Sequence, residues 1–408
     1  MREKNMFINR GLRAPAAALV VLVAALSAAG ASGYTLPGVR SFGDPVSGQG
    51  ARSMAMGGTG IAADPGLGRL FVNPALLGFA RRGRIEASLG VARPGEVRTQ
   101  EVFDSFDNTV GEATLAANTS YYIRPALWGV MQPLGRFVVA AGGRERYDFD
   151  YDFHQEIRDN FYYRLGSRDL VVRGGLYEWS LGVGMCPSAS VGLGAAVNLL
   201  RGDAEWRWEV EDSSVDTTET SSANLDGWDV TVGAAARIGE RVVLGLMARR
   251  GAEVGWEAES GSIDDATVDY PPLLGAGLEV TPANQFPAIL SWDVLYIPWS
   301  DLTVDGEEAD LDDVWEVRFG VEHEMTDGLL VRIGFRWEPS YVNEEIAQAV
   351  VATGLGWEVK GFGIDLATEL GRRGYRSSEV TASDVDFPEP VEVEETLVRL
   401  AATVWREF

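Results

Sequence analysis

The strongest constraint on the fold is a two-residue alternation of apolar and polar side chains. Side chains of an extended chain point alternately to opposite faces, so such a run predicts a strand with one apolar and one polar face. Residues 329–338 show it most clearly. Their apolar parity holds Leu329, Val331, Ile333, Phe335 and Trp337, and their other parity, after Leu330, holds Arg332, Gly334, Arg336 and Glu338.

The same alternation recurs in residues 191–199, 315–322 and 362–369. Many runs reach about 9 to 11 residues, the length of a membrane-spanning strand, whereas strands of soluble proteins usually have about 5 to 6. A soluble sandwich would alternate in the same way. A solenoid or propeller would show a repeat of about 20 to 50 residues, which the chain lacks. The favoured class is therefore a sheet that spans a membrane.

The connections between the runs fall into two length classes. Six are tight and rich in turn residues, around residues 132–136, 186–189, 238–241, 281–284, 325–328 and 359–361. Seven are long and mostly acidic, around residues 94–114, 150–170, 203–225, 257–269, 300–312, 339–347 and 373–392. Outer-membrane barrels have short periplasmic turns, long outer loops and an even strand number. We predict an all-β transmembrane antiparallel barrel of about fourteen strands in the outer membrane of a Gram-negative bacterium.

The first 31 residues are predicted to be a cleaved signal peptide. Arg2, Lys4 and Arg10 precede a short apolar core at residues 16–26, and small residues at 29–31 fit the peptidase pattern. The alternative is a retained membrane anchor, but the apolar run is shorter than the roughly 20 residues that a spanning helix needs. Cleavage is therefore favoured, and the mature protein is expected to leave the cytoplasm.

Composition agrees with a barrel and excludes one class of partner. The formal net charge is −25, so nucleic acid, whose phosphates require clustered Lys and Arg, is not expected as a partner. The 48 glycines and the mean hydropathy of −0.03 suit a sheet with one apolar and one wet face. Cys186 is the only cysteine, so the fold has no internal disulfide.

The last strand ends in an aromatic residue. Residues 396–408 alternate up to the terminal Phe408, and a C-terminal aromatic resembles the insertion signal that the barrel-assembly machinery recognises. That signal usually has an apolar residue two positions before the end, where this chain has Arg406. Arg406 can extend its charged end towards the membrane surface.

A glycine-rich segment before the first strand has no place in a strand ladder. Residues 50–60 read GARSMAMGGTG, Asp64 follows, and residues 71–79 read FVNPALLGF. This order resembles the outer-membrane long-chain fatty-acid transport superfamily, with its PorV-like branch, in which a "GAR…MGG" stretch precedes an Asp and an "NPA" motif. The motif resemblance covers about forty residues, and the strand number and terminal aromatic agree with it.

The resemblance implies a division of the chain into a signal peptide at 1–31, a hatch at 32–83 inside the lumen and a barrel at 84–408. The hatch residues that the motifs mark are Gly57, Gly58, Asp64, Asn73, Pro74 and Ala75. Asn and Pro suit a tight buried turn in which the side-chain amide binds backbone groups. The alternative is that this segment only seats the first strand.

Charged residues on the inward parity are predicted to face the lumen. They are Glu316, Arg318, Glu322, Arg332, Arg336, Asp365 and Glu369. Such residues either line a polar path or pair with one another across the lumen, and pairing is the common outcome when both signs are adjacent. Trp179, Trp228, Trp256, Trp292, Tyr296 and Trp357 are predicted to form girdles at the two membrane surfaces.

Few residues suggest a catalytic or metal-binding site. The only histidines are His154 and His323, and neither pattern favours a hydrolase, so we expect no enzyme, cofactor or metal. The acidic run at 301–313 could bind calcium but matches no EF-hand loop, and a solvated surface is the simpler interpretation.

The predicted function is passive uptake of small hydrophobic, fatty-acid-like molecules through a barrel that the hatch closes. The alternative is a PorV-like structural or secretion-associated barrel that binds partner proteins. Expected partners are outer-membrane lipid and lipopolysaccharide, the assembly machinery through the last strand, and a small hydrophobic ligand.

Overall fold

The computed structural model describes residues 41–48, 50–62, 64–103, 106, 108–158, 163–212, 216–283, 287–343, 346–377 and 391–408. The predicted signal peptide and the first residues of the predicted hatch lie outside these ranges. Among the described residues, no helix is long and apolar enough to cross a membrane.

Fourteen antiparallel strands dominate the chain. Several are interrupted by a short break and are given as two segments. They are β1 (Arg84–Phe103), β2 (Thr109–Thr119 and Tyr122–Leu134), β3 (Phe137–Asp148 and Tyr151–Arg158), β4 (Arg164–Ser188), β5 (Val191–Asp212), β6 (Asp216–Ile238), β7 (Val242–Arg249 and Glu253–Ser260), β8 (Ala266–Asp269 and Leu273–Val280), β9 (Ala288–Ile297), β10 (Val314–Thr326), β11 (Leu329–Pro339), β12 (Ala347–Val359), β13 (Phe362–Ser377) and β14 (Val391–Glu407).

Each strand pairs with the next, and the last pairs with the first, so the sheet closes into a barrel. The closing ladder runs from Arg84 opposite Glu407 to Thr99 opposite Glu392. At the junction, Phe408 and Gly83 exchange two backbone hydrogen bonds, of 2.9 and 3.1 Å. Closure leaves no unpaired edge in the bilayer, which is why only closed sheets span membranes. The predicted fourteen-strand barrel is confirmed.

The outward face of the sheet carries a band of exposed apolar side chains. Its exposed members include Leu193, Val197, Leu246, Ile333 and Leu366. Trp179, Leu199 and Trp228 align across β4, β5 and β6 at its outer border. The prediction for Trp256 is wrong: this residue lies on the lumen side, stacked on Trp206 with ring centroids 6.0 Å apart.

The strands at the outer end are longer than predicted. Much of 94–114, 150–170 and 203–225 was expected to be loop, but β1, β4, β5 and β6 continue through these regions as paired strands. Many of their inward residues there are apolar, for example Leu200, Ala204 and Leu225, so the sheet buries a core above the membrane band, although β1 also buries Glu96 and Arg98 there.

Residues 41–83, here called the inner segment, run inside the barrel before β1 begins. They contain a two-residue strand (Asp44–Pro45) paired with β3, helix α1 (Gly50–Ala55), and two 3₁₀ helices, Leu67–Leu70 and Pro74–Phe79. Nearly all of the side chains described between residues 50 and 78 are buried.

Candidate functional site

Polar side chains of the wall hold the backbone of the inner segment. The Asp293 carboxylate on β9 accepts hydrogen bonds from the N–H groups of Gly60 and Ile61, at 2.7 and 3.0 Å. Glu86 on β1 accepts one from the N–H of Leu67 at 3.1 Å. Such bonds satisfy buried amides that no regular ladder pairs, because the segment is irregular here.

The helix Pro74–Phe79 is fixed by Asn73. Its Oδ1 accepts a hydrogen bond from the N–H of Ala75 at 3.1 Å, which caps the helix, and Pro74 occupies a position where no N–H is needed. Its Nδ2 donates to the carbonyl of Ile61 at 2.7 Å and to that of Ala234 on β6 at 3.3 Å. Asn73 thus links two parts of the inner segment to the wall.

Glycines on the inward parity allow the inner segment to touch the sheet backbone. A Cβ at Gly233 would lie 1.9 Å from Asn73 Oδ1, and one at Gly334 would lie 2.0 Å from the nitrogen of Gly57. A Cβ at Gly245 would lie 2.0 Å from the carbonyl oxygen of Ile61. No side chain fits at these distances, so the inner segment packs directly on the sheet backbone at these three glycines, here called glycine seats.

Gly57, Gly58 and Asp64 shape the turn after α1. Gly57 and Gly58 have φ angles of +68° and +84°, the left-handed region that glycine adopts without strain. The Gly58 carbonyl accepts a hydrogen bond from Arg318 of β10 at 3.0 Å. Asp64 Oδ1 accepts one from the Gly66 N–H at 2.6 Å and lies 4.0 Å from Arg52.

The lumen-facing charges are buried and form two connected groups of ion pairs. In the first, Glu322 binds both Arg52 of α1 and Arg332 of β11, at 3.0 and 2.6 Å. Arg332 continues to Asp365 of β13 at 2.6 Å, and Asp365 accepts a hydrogen bond from the Trp405 indole. This group ties α1 to β10, β11, β13 and β14.

The second group lies nearer the outer end. Glu369 of β13 binds Arg336 of β11, at 3.3 Å, and Arg399 of β14. Arg399 also donates to the carbonyl of Ser47 in the inner segment at 3.0 Å. Arg318 pairs with Glu316 at 2.5 Å. These side chains pair with one another along the wall from β10 to β14.

An aromatic cluster fills the lumen above the inner segment. The rings of Trp299 and Tyr341 stack with centroids 4.1 Å apart, and Tyr147 and Tyr270 lie 5.0 Å apart. Burial raises the pKa of the Tyr341 phenol, which stays protonated and donates to the carbonyl of Gly43 at 2.9 Å. The start of the described inner segment is thereby tied to the outer end.

Two cavities lie on opposite sides of the inner segment. The outer one has a volume of about 60 Å³ and is lined by the apolar side chains of Trp299, Tyr341 and Leu397 and by Arg336 and Arg373. The inner one, near the tight turns, has a volume of about 620 Å³. The segment and its ion pairs separate them.

The backbone pairing between β2 and β3 covers only part of their length. Their backbone ladder runs from Leu134 opposite Phe137 to Leu127 opposite Arg144 and then stops. Beyond it, Arg124 of β2 reaches Glu145 and Asp148 of β3, each at 2.6 Å. Side chains, together with the short strand Asp44–Pro45 of the inner segment, which pairs with Tyr147 and Asp148, therefore close this seam.

No protein-family profile matches the chain. An uncharacterized protein from the 5′ region of the phosphoenolpyruvate carboxykinase gene of Chlorobium limicola is 42% identical over 76 residues, which is 19% of this chain and 32% of that protein. Among solved structures, a FadL homologue of Pseudomonas aeruginosa is 12% identical, with a TM-score of 0.63 over 90% of this chain and 99% of its own. The toluene transporter TodX of Pseudomonas putida is 17% identical, with a TM-score of 0.62 over 88% and 99%. This chain has the FadL-type barrel fold.

Sequence reasoning missed several wall residues of this FadL-type barrel that hold the inner segment. Asp293 alternates with apolar neighbours, as any lumen residue does, and its partner Gly60 is 233 positions away. Arg249 donates to the carbonyl of Phe71 at 3.0 Å, and Thr403 accepts from the N–H of Ala51 at 2.8 Å. The only sequence signal for these contacts was that the polar residues lie on the inward-facing parity of their strands.

The histidines lie apart from the inner segment of the FadL-type barrel. His154 Nδ1 is 2.6 Å from Asp169 on the exposed outer surface, and His323 Nδ1 is 2.9 Å from the carbonyl oxygen of Pro287 near a tight turn. Within the part of the chain that the structure describes, no group of three or more His, Cys, Asp or Glu residues is arranged to hold a metal ion.

Proposed function

We propose that the protein is a passive outer-membrane channel for small hydrophobic molecules and that the inner segment, residues 41–83, is the hatch that closes it. The observation that carries the proposal is the position of the segment between the two cavities, held by side-chain bonds and glycine seats rather than by a continuous ladder. Side-chain anchors can be released without breaking the barrel, whose own ladders stay closed.

The aromatic cluster supports a hydrophobic substrate. Trp299, Tyr341, Tyr270 and Phe149 belong to one buried cluster, and Trp299 and Tyr341 line the outer cavity. Solved structures of the same fold include proteins named as toluene transporters and as a monoaromatic hydrocarbon channel, with TM-scores of 0.62 and 0.54. Stacked and edge-to-face rings bind other aromatic molecules by the same geometry.

The outer cavity must widen before a substrate enters. Its volume of about 60 Å³ is smaller than the roughly 150 Å³ of an engineered apolar cavity that binds benzene. Movement of the Trp299–Tyr341 pair, or of Ser47 away from Arg399, enlarges it. The described conformation is therefore the closed one.

The seam between β2 and β3 offers a sideways route from the lumen. Above Leu127 and Arg144 no backbone ladder joins these two strands, so opening the seam breaks side-chain contacts such as Arg124–Glu145 and the short pairing of Asp44–Pro45 with β3. A hydrophobic molecule gains from leaving sideways into the apolar bilayer instead of into water.

The test is flux of radiolabelled toluene across an outer membrane with and without this protein, in a host that lacks related channels. We expect toluene uptake to rise and uptake of a sugar of similar size to stay at background. Uptake of toluene at background would overturn the channel proposal.

A PorV-like scaffold is the second candidate, and the filled lumen favours it, because the charges inside are paired and the outer cavity is small. Affinity capture of the tagged barrel after crosslinking distinguishes the two. A scaffold predicts a stoichiometric protein partner together with background toluene flux.

A further inference from the structure

The seam between β2 and β3 contains more buried acidic than basic side chains. Glu145, Asp148 and Asp150 are at most 3% exposed. Arg124 of β2 forms an ion pair with each of them, at 2.6, 2.6 and 3.5 Å. Among the described residues, no second Arg or Lys lies within ion-pair distance of any of the three acids. Three carboxyl groups therefore share one guanidinium.

The two arginines next to Glu145 in the sequence have acidic partners of their own. A bulge at Arg146 interrupts the pairing of β3 with β4, so Arg144, Glu145 and Arg146 are all buried although they are consecutive. Arg144 binds Glu178 of β4 at 2.7 Å, and Arg146 binds Asp229 of β6. Neither guanidinium neutralises an acid of the seam.

The other charged or titratable groups around the three acids add no net positive charge. They are Tyr122 of β2, Asp152 of β3, Arg173 and Tyr177 of β4, Arg399 of β14 and Asp44 of the inner segment. Arg173 binds Asp152 at 2.5 Å, and Arg399 binds Glu369. With all acids ionised, the seam would carry two negative charges that no described cation pairs.

A buried carboxylate without a counter-ion takes up a proton, because its charged form is poorly solvated there. The three acids lie beyond the outer border of the membrane band, since Trp179 of that border is opposite Gly143. Burial raises the pKa of Asp150 to about 7. Burial, with Glu145 and Asp150 nearby, raises the pKa of Asp148 well above its usual range. The closed seam therefore holds protons at neutral pH.

We propose that the seam between β2 and β3 is a proton-controlled gate, closed while its surplus acids are protonated and opened as they lose their protons. Deprotonation leaves two buried charges without a counter-ion, and water solvates them only when the strands part. The inference adds a control to the sideways route of the proposed channel, but it concerns the strands and not the molecule that passes between them.

The direction of the pH effect follows from proton linkage. Carboxyl groups in water titrate near pH 4, so between about pH 4 and pH 7 the open seam binds fewer protons than the closed one. The closed form is fully stabilised below this range and loses that stability as pH rises through it. Opening should therefore become more frequent between pH 5 and pH 8.

The test uses the full barrel in lipid nanodiscs from pH 5 to pH 8. Hydrogen exchange of peptides that cover residues 122–127 and 144–150, corrected for the intrinsic pH effect, should rise about tenfold over this range. Infrared difference spectra should show the C=O stretching band of protonated carboxyl groups at pH 5 and a weaker band at pH 8. Neither measurement uses a transported molecule.

The decisive variant is Asp148→Asn combined with Asp150→Asn, which removes both surplus acids. Asparagine keeps an oxygen that can accept the hydrogen bonds from the N–H groups of Asp150 and Gly174. We expect the corrected exchange to stay low from pH 5 to pH 8 and the change in the infrared band to shrink. If the double variant does not assemble, Asp150→Asn alone should show a smaller rise than the wild type.

Asp226→Asn is the control, because Asp226 pairs with Arg201 on the exposed outer surface. Its exchange and infrared responses should match the wild type. Exchange of both peptides that is independent of pH in the wild type would overturn the inference, and so would a full wild-type response in the variants of Asp148 and Asp150.

The channel proposal fails separately. Background toluene flux together with a pH-dependent seam removes the channel and leaves the proton-controlled gate. Normal toluene flux together with a pH-independent seam does the reverse.

Discussion

Asp293 of β9 accepts a hydrogen bond from the backbone N–H of Gly60 at 2.7 Å, and this contact joins the wall to the inner segment across the lumen. The same oxygen accepts from Ile61, so one carboxylate holds two consecutive amides. Bonds to an ionised acceptor are roughly twice as strong as neutral ones. Asp293 is therefore a principal anchor of the inner segment.

Replacing Asp293 by Asn should loosen the segment without opening the barrel. The amide keeps an acceptor oxygen but loses the charge, so we expect the docked segment to be destabilised by about 1 to 3 kcal/mol. Hydrogen exchange followed by mass spectrometry should show faster exchange of a peptide that contains Gly60 and Ile61. Asp226→Asn is the control, because Asp226 pairs with Arg201 on the exposed outer surface. Equal exchange in the two variants would remove Asp293 from its anchoring role.

Gly233→Ala should displace the helix Pro74–Phe79. The new Cβ would lie 1.9 Å from Asn73 Oδ1 and 2.9 Å from Asn73 Cγ, and this amide cannot move aside without losing its hydrogen bonds to Ala75, Ile61 and Ala234. We expect larger single-channel conductance in planar bilayers, with an unchanged shift between boiled and unboiled samples on a gel. Gly111→Ala is the matched control, since nothing lies within 4 Å of its Cβ position. A wild-type conductance for Gly233→Ala would show that this seat does not hold the segment closed.

The barrel could be predicted because its main determinants are local. The parity of a side chain fixes the face it occupies, so residues such as Ile333 and Arg332 could be assigned to lipid and lumen from the sequence. The outer connections were harder. Trp206 and Trp208 alternate with charged residues above the membrane band. A sequence of this kind is compatible both with a polar outer loop and with an extension of the strand.

The contacts of the candidate site could be predicted only in part. The motif at 50–79 pointed to the inner segment, but the partners of that segment are hundreds of positions away, as Ala51 and Thr403 are. Trp256 shows a second limit. The two-residue period gives the face of a residue only relative to its neighbours in the same strand segment, and the three-residue break between Arg249 and Glu253 changes which parity faces the lumen.

Acid should release the outer loop that follows β9. Asp313 accepts hydrogen bonds from the hydroxyls of Tyr296 and Ser300 at 2.6 and 2.7 Å, and these bonds lower its pKa. A carboxyl with a lowered pKa in the folded state adds stability above about pH 4, and that stability is lost as pH falls through the folded pKa. Hydrogen exchange of residues 298–313, corrected for the intrinsic pH effect, should rise between pH 5 and pH 3. In Asp313→Asn the corrected rate should be high and flat, and a wild-type-like acid response there would assign the effect to another group.

Phe408→Ala should reduce assembly of the barrel. Phe408 lies at the junction of β14 with β1, where its backbone pairs with Gly83 and its ring contacts the Gly83 position. We expect less heat-modifiable protein in the outer membrane and more unfolded protein in the periplasm. Trp357→Ala is the control, since both aromatic side chains are about 60% exposed, at 59% and 61%, near the tight-turn end. Equal losses in the two variants would mean that any aromatic at this border serves, and that Phe408 is not a specific signal.

Trp299→Ala should widen the outer cavity. Trp299 is 1% exposed, stacks on Tyr341 and lines the outer cavity, so its removal adds space to that cavity. Deletion of a buried Trp costs about 3 to 5 kcal/mol, which the closed barrel ladders can absorb, and the measured quantity is therefore the initial rate of toluene flux in barrels that still show heat modifiability. We expect that rate to rise several-fold. Trp315→Ala, which removes a lipid-facing ring that is 59% exposed, should leave it unchanged. If both variants conduct toluene at the wild-type rate, the Trp299–Tyr341 pair does not lie on the substrate route, and the seam between β2 and β3 has to be reached from another part of the lumen.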